Sequence, residues 1–434
     1  MSQVNPTAQD EAVQRMLQAY KAAGAAGRAG EADQLLTRAA QMAPAHPGVL
    51  NELGLRMLAT GAPDKARELL LRATQIDPNS AALWSNFAAS LHELGQFPQE
   101  LEALERALAL EPRHTPSLLQ KGALYEAQGD PRNAARVYRN ALATLPPRSS
   151  PPPTIASVVE HARRLIADDD AALARELEAR LGAIRDTHAG ASLGRLARCL
   201  DLVTGRRTRY NPQPTFMYFP ELPAIEFFER TQFPWLEGLE AATDEIRSEL
   251  MHVLISDRAG LEPYIDYPSG VPLDQWRELN RSRRWSAYFL WNQGAPQPEH
   301  LARCPRTAAA VRGTPQCDVA RRAPTAFFSL LDPHTRIPPH TGVTNTRLTV
   351  HLPLIVPPGC GFRVGGETRE WVPGKAWVFD DTIEHEAWND SDGPRAILIF
   401  DVWNPLLSPA ERDLVRAATE VIGEYYRLGP QEGL

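Results

Sequence analysis

Two histidines far apart in the chain frame the chemistry this sequence can do. His340 opens the stretch HTGVTNTRLTVHLPL (340–354), which reads as a histidine entering a β-strand, with His351 further along it, and His385 stands in DDTIEHEAWND. A common way to hold a redox-active divalent metal is two histidines and one carboxylate, the carboxylate standing two residues after the first histidine. Here that position is Gly342. Either the histidines hold no metal, or they hold it with one protein ligand fewer than usual.

Strand alternation sorts the surroundings, because successive side chains of a strand point to opposite faces. In RLTVHLPLI, Arg347, Thr349 and His351 share one face while Leu348, Val350 and Leu352 share the other. In RAILIFDVW the set is Arg395, Ile397, Ile399 and Asp401, and in TAFFSLL it is Thr325, Phe327, Ser329 and Leu331. A double-stranded β-helix turns one face of each such strand inward, so two histidines, two arginines, a serine and a threonine would line one cavity. A ferrous oxygenase needs that inventory. Imidazole suits Fe(II), and a 2-oxoglutarate co-substrate needs a buried cation for its far carboxylate, which arginine meets with a two-pronged fork. A nearby hydroxyl supplies a further hydrogen bond.

These strands follow a repeat array. Pro44, Pro78, Pro112 and Pro146 fall at one spacing of 34 residues, as do Gly27, Gly61, Gly95 and Gly129, and Ala39, Ala73, Ala107 and Ala141. That period is the tetratricopeptide repeat, a helix–turn–helix unit. Glycine suits the turn between the two helices, where positive φ is needed, and proline ends the second helix. Gly54, Ala88 and Gly122, spaced the same way, let neighbouring helices approach. Residues 8–147 therefore read as about four units, the first degenerate. Their stacking predicts a groove for a peptide or partner protein, against the plainer reading that the array only packs on the rest of the chain.

LPPRSSPPPT (145–154) marks a boundary by its five prolines. Beyond it, residues 154–190 read as two amphipathic helices, with Asp168–Asp170 capping the second, and SLGRLARCLDLVTG as a third. PWLEGLEAATDEIRSELMHVL reads as one helix, and RRWSAYFLWNQG (283–294) as the first strong strand of a β-rich region running to residue 403. The expected organisation is 8–147 repeats, 148–204 linker and helical extension, 205–434 catalytic domain.

A net charge of −7 argues against a nucleic-acid partner. No apolar run reaches membrane-spanning length, and the start has neither a basic nor an apolar leader segment. The four cysteines are too sparse for a disulfide framework. Cys304 and Cys317 could pair, but reduced thiols in the cytoplasm are the expectation.

Residues 215–410 resemble the aspartyl/asparaginyl β-hydroxylase family of 2-oxoglutarate-dependent oxygenases, on PHTGVTNTRLTVHLPLIVPPGCGFRVGGE, GKAWVFDDTIEHEAWND and RAILIFDVWNP. The resemblance implies a multidomain α + β protein: an α-solenoid of tetratricopeptide repeats followed by a jelly-roll (double-stranded β-helix, cupin-like) oxygenase domain. It implies Fe(II), 2-oxoglutarate and O2. It also answers the question of Gly342, since family members are similar in binding iron through two histidines, here His340 and His385, with water in the third position. Arg395 would grip the far carboxylate with help from Ser329, His351 would lie near the C1 carboxylate, and Arg347 would face substrate or co-substrate. Thr349 stands where a second arginine can occur, a departure that bears on the substrate. Asp381, four residues before His385, is a candidate to approach the metal or hold its water. His334 reads as a loop residue, His161 as helix surface and Cys360 as turn packing.

The implied reaction is hydroxylation of an amino-acid side chain, at the β-carbon of Asp or Asn in a peptide or protein. The alternatives are a free amino acid or small metabolite as substrate, a non-enzymatic repeat scaffold with a degenerate barrel, and halogenation.

Overall fold

The 34-residue period becomes a ladder of paired helices, and its recurring residues do what their types dictate. The computed structural model describes residues 8–146, 151–188 and 193–426, whose contacts separate two compact units, Met1–Gly205 and Arg206–Leu434. In the first unit the helices are α1 (Ala8–Ala25), α2 (Ala29–Met42), α3 (Pro47–Ala59), α4 (Pro63–Ile76), α5 (Ala81–Glu93), α6 (Phe97–Leu110), α7 (Thr115–Ala127) and α8 (Pro131–Leu142). Gly27, Gly61, Gly95 and Gly129 each take positive φ, between 67° and 74°, at the turn inside a repeat, a conformation that a side chain would strain. Gly122 is small for a different reason. A Cβ there would lie 2.3 Å from the Tyr138 ring, and one at Gly54 would lie 2.6 Å from Leu70, so the helices of a pair touch backbone to side chain. His46, Ser80 and His114, also 34 apart, cap α3, α5 and α7 by accepting from the backbone N–H of Gly48, Leu83 and Ser117.

The expected pair of helices after residue 154 is one, α9 (Ala156–Asp186). The acidic triplet does not cap a second helix. Asp169 and Asp170 lie mid-helix and accept from the Arg139 guanidinium of α8, so their charge is used sideways, in an ion pair. The segment has no proline, and its single glycine, Gly182, comes only four residues before its end. A further helix, α10 (Gly194–Val203), follows. Of the proline-rich joint, residues 147–150 lie outside the described residues, as do residues 427–434 of the expected C-terminal domain.

The second unit begins its helices with α11 (Leu236–Ala241) and α12 (Thr243–Ser256), two helices broken at Ala242 where the sequence suggested one, then α13 (Pro298–Arg303), α14 (Pro305–Arg312) and α15 (Pro409–Tyr426). Its strands are β1 (Glu262–Pro263), β2 (Trp285–Asn292), β3 (Ala295–Pro296), β4 (Ala326–Leu331), β5 (Thr335–His340), β6 (Arg347–Ile355), β7 (Cys360–Val364), β8 (Glu367–Arg369), β9 (Trp377–Phe379), β10 (His385–Asn389) and β11 (Arg395–Trp403).

These strands correct the expected jelly-roll barrel. They form two separate sheets, one ordered β1-β2-β4-β11-β6-β9 with β3 on β2, the other ordered β5-β10-β7-β8. Both are antiparallel and both are open. No strand pairing carries one sheet into the other among the described residues, so the edges are not closed on themselves as in a barrel. The sheets meet instead through side chains: Trp285, Leu331 and Ile397 of the larger pack with Ile337, Phe362, Val364 and Ala387 of the smaller in one buried cluster. The opposite face of the larger sheet, with Leu348, Val350, Leu352, Leu398 and Phe400, packs with Ile246, Leu250 and Val253 of α12 and Ala308 and Val311 of α14. Being covered on both faces is why β11 reads as a near-continuous apolar run. Polar residues on its inner face are therefore costly, and need a reason.

Candidate active site

The smaller sheet brings the two distant histidines side by side. His340 ends β5 and His385 begins β10; they are direct partners across the strand pair, with ring centroids 4.1 Å apart. Each ring is oriented by its own backbone. Nδ1 of His340 lies 2.8 Å from the Pro338 carbonyl and Nδ1 of His385 lies 3.0 Å from the Ile383 carbonyl. A carbonyl only accepts, so Nδ1 carries the proton in both rings and a neutral ring keeps the lone pair of Nε2 free. Burial holds both rings neutral: the His340 imidazolium is pushed down to about 3, with a smaller push from His385, and that of His385 to about 4. Aromatic walls surround them, with Trp276 edge-on to His340 at 5.0 Å, and Phe379 and Phe362 at 5.6 Å and 6.0 Å from His385.

Two neutral imidazoles with free Nε2 atoms, His385 buried and His340 half-buried, fit a borderline divalent metal such as Fe(II). Among the described residues, no group of three or more His, Cys, Asp or Glu is arranged to hold a metal ion. Position 342 explains why no carboxylate stands two residues after His340. A Cβ on Gly342 would lie 2.3 Å from the carboxyl group of Asp381, and the Gly342 N–H donates to the Asp381 carbonyl at 2.7 Å. The Asp381 carboxyl group takes up the space a side chain at 342 would need. Burial raises its pKa, against the pull of Arg347 and His340.

The larger sheet supplies the other residues named from the sequence. His351 of β6 stands opposite Ile399 of β11, and Ser329 of β4 opposite Ile397, so His351, Ser329 and Arg395 do share the inner face. Arg395 is only 1% exposed, and its Nε and Nη2 have no hydrogen-bond partner among the described residues. Desolvation pulls its pKa down to about 10. An unpaired buried guanidinium is a large cost unless an anion joins it. His351 lies between the two regions: its ring is 4.7 Å from Phe379 and 4.9 Å from Phe362, its Nδ1 is buried and unpartnered, and burial, then Arg395, then His385 lower its pKa. Ser329 Oγ accepts from the Trp285 indole at 3.1 Å, which leaves its own hydrogen free to donate.

Arg347 is placed differently from a free substrate-facing cation. Its Nη1 donates to Asp401 Oδ2 at 2.8 Å, so its charge is already paired, while Nε remains unpartnered. Burial lifts Asp401 to about 6 even so. Thr349 stands opposite Asp401 in the strand register. Sequence reasoning put Asp401 on this face without giving it a role, and missed Trp276, Trp285 and Trp371 altogether. The other two histidines singled out are elsewhere: His334 Nε2 lies 3.1 Å from Asp392 Oδ1 on the surface, and His161 meets Glu126 in the repeat unit. All four cysteines are free.

Two stretches of the chain match known protein families. Residues 240–405 match Aspartyl/Asparaginyl beta-hydroxylase, and residues 25–91 match Tetratricopeptide repeat. The proteins named Aspartyl/asparaginyl beta-hydroxylase in Mus musculus and Homo sapiens are each 36% identical over 182 residues, 41% of this chain and 24% of theirs. Ornithine lipid ester-linked acyl 2-hydroxylase of Rhizobium tropici is 35% identical over 186 residues, 42% of this chain and 62% of its own. The chain thus spans about a quarter of the first two relatives and under two thirds of the third. A solved thermophilic TPR protein of Thermus thermophilus aligns over 38% of this chain and 90% of its own at 24% identity, with a TM-score of 0.32. No helix among the described residues is long and apolar enough to cross a membrane.

Proposed function

We propose that this protein is an Fe(II)- and 2-oxoglutarate-dependent dioxygenase that hydroxylates an amino-acid side chain in a peptide or protein, at the β-carbon of Asp or Asn. The observation that carries the reading is the unpaired guanidinium of Arg395, buried on the same inner face as His351, whose ring feels both that cation and His385 of the neutral, carbonyl-oriented histidine pair. A dicarboxylate with a 2-oxo acid at one end would answer both at once.

In this reading His340 and His385 hold the metal through Nε2, and Asp381 stands beside them to hold a water or order the ligand shell. Arg395 grips the far carboxylate of 2-oxoglutarate, Ser329 donates its free hydrogen to it, and His351 lies toward the C1 carboxylate. Trp276, Phe362 and Phe379 keep bulk water off the reacting atoms. When bound, the iron supplies the chemistry: it couples oxidation of 2-oxoglutarate to succinate and CO2 with insertion of one O2 oxygen into a substrate C–H bond. The protein's part is to aim that bond and to exclude water. Arg347, paired with Asp401, presents hydrogen bonds more than net charge to the substrate.

The relatives of nearly equal identity are named for different targets, an aspartyl or asparaginyl group and the ester-linked acyl group of an ornithine lipid. The match therefore supports the reaction class, and the repeats argue for a polypeptide. A cleft of about 850 Å³ lies over α5 between α4 and α6, with Trp84, Phe87 and Leu91 in its lining and Lys65, Glu68 and Arg106 around them. It is a candidate hold for a peptide or partner protein. The free cysteines suit the reducing cytoplasm. The test is incubation of the Fe(II)-loaded chain with 2-oxoglutarate, O2 and paired Asp and Asn peptides, alongside free amino acids. A mass increase of about 16 Da on a peptide supports the reading; the gain on a free amino acid alone would make it a small-molecule hydroxylase.

A further inference from the structure

Arg395 does not face its unmade hydrogen bonds alone. Trp371 lies in the segment between β8 and β9, is 5% exposed, and its indole Nε1 is buried with no partner among the described residues. Its ring is fixed by stacking on Phe362 (centroids 5.4 Å apart, planes 22° apart) and on Trp377 (5.9 Å, 12°). The Arg395 guanidinium lies over that ring, 5.0 Å from its centroid, and the His351 ring is 6.2 Å away.

The chemistry of the unpartnered atoms is one-sided. Arg395 Nε, Arg395 Nη2 and Trp371 Nε1 are all N–H groups, and an indole N–H can only donate. A buried donor left unpaired is costly, and buried tryptophan N–H groups normally find a partner. What these three neighbouring donors lack is an acceptor with more than one oxygen. A carboxylate has two oxygens and about four lone-pair sites. It also neutralises the guanidinium, which a water would not.

The geometry points to Trp371 as a third donor to the carboxylate held by Arg395, which makes its indole N–H a specificity-determining contact for the far end of the co-substrate. This rests on the proposed reading that a 2-oxo dicarboxylate binds here. The contact selects for length and charge: a 2-oxo acid ending in a methyl group would reach the histidines but leave all three donors unmet.

The test is isothermal titration of the full chain, loaded with Mn(II) under argon so that nothing turns over, in wild type and in Trp371→Phe, which keeps a ring but loses the N–H. The titrants are 2-oxoglutarate and 2-oxobutyrate, which lacks the far carboxylate. Loss of one hydrogen bond to a charged group predicts that Trp371→Phe weakens 2-oxoglutarate roughly tenfold or more, with 2-oxobutyrate unchanged. Equal weakening of both ligands would make Trp371 a packing residue and overturn the inference, as would no change in either. Failure of the wild type to bind 2-oxoglutarate at all would instead overturn the co-substrate reading, and this inference with it. Should Trp371→Phe not fold, the wild type suffices. With indole nitrogens labelled and Zn(II) bound, one of the indole N–H proton resonances should move downfield with 2-oxoglutarate but not with 2-oxobutyrate. No such movement would overturn the assignment.

Discussion

Glu100 in the repeat unit and Arg395 in the sheet unit are both charged, and both are only 1% exposed. They are treated in opposite ways. The Glu100 carboxylate takes His92 Nδ1 at 3.0 Å from one oxygen and 3.1 Å from the other, a local pairing closed within one repeat. Arg395 lies over the Trp371 ring and has two nitrogens without a partner among the described residues. The contrast extends to neighbours. Glu52 of the repeats meets Lys21 at 2.9 Å, whereas His351, Trp371, Asp381 and Asp401 of the sheet unit each keep a buried polar atom without a partner among the described residues. Evolution does not usually leave such groups open without a use, because each costs stability. The repeats do keep two neutral buried atoms open, Ser85 Oγ and Gln120 Oε1, but their buried carboxylates are paired, whereas in the sheet unit it is charged groups of the candidate site that stay open.

Breaking that contrast at its strongest point gives the largest expected effect. Arg395→Met removes the charge and keeps the bulk. Calorimetry should show 2-oxoglutarate affinity reduced by on the order of a hundredfold or more, since truncating one side of a buried charge pair costs several kcal/mol. The same variant, without ligand, should melt no lower than wild type, because an uncompensated buried charge has been replaced by an apolar chain. A lower melting temperature would mean that Arg395 is already paired in the free protein.

The reverse is expected of Glu100→Ala. Removing a satisfied acceptor should cost about 1–3 kcal/mol of unfolding free energy, read by denaturant melts, with 2-oxoglutarate affinity unchanged. A change in that affinity would tie the repeats to the site energetically and weaken the division drawn above.

A smaller effect sharpens the account of the histidines. Their folded pKa values, about 3 for His340 and about 4 for His385, lie below the ordinary value. Protons therefore compete with a metal only at low pH. Metal affinity, measured by competition with a chelator, should stay flat from about pH 8 to about pH 5 and fall as the pH drops through about 4. The sign for stability is the same: the contribution of these two groups to the metal-free fold is lost as pH falls below the unfolded imidazole value, about 6.5. A decline in metal affinity centred near pH 6.5 would mean that the rings are solvated rather than buried.

The two units also differ in how far they can be read from sequence. The repeat helices were legible because their period is strict and each recurring residue has a mechanical task, as the positive φ of Gly61 and the contact of Gly122 with Tyr138 make plain. The continuous α9 was not, because Asp169 and Asp170 look like a cap until Arg139 is brought beside them by the fold. In the sheet unit, alternation was enough to put Ser329, His351, Arg395 and Asp401 on one face. Whether the sheets close depends on edge pairings that no pattern in the strands encodes, and two open sheets replaced the barrel. The pairing of Arg347 with Asp401 needed the register of β6 on β11. Trp371 stands outside any strand, so no periodicity could point it at Arg395.

The central claim is that paired neutral histidines and a waiting buried cation make an oxygenase. Its most direct test is succinate release from 2-oxoglutarate by the Fe(II)-loaded chain under air, in wild type and in His385→Ala, with circular dichroism confirming that both are folded. The account predicts slow release by the wild type even without added substrate, abolished in the variant. Equal release by both proteins, or none by a wild type that binds neither iron nor 2-oxoglutarate, would contradict it.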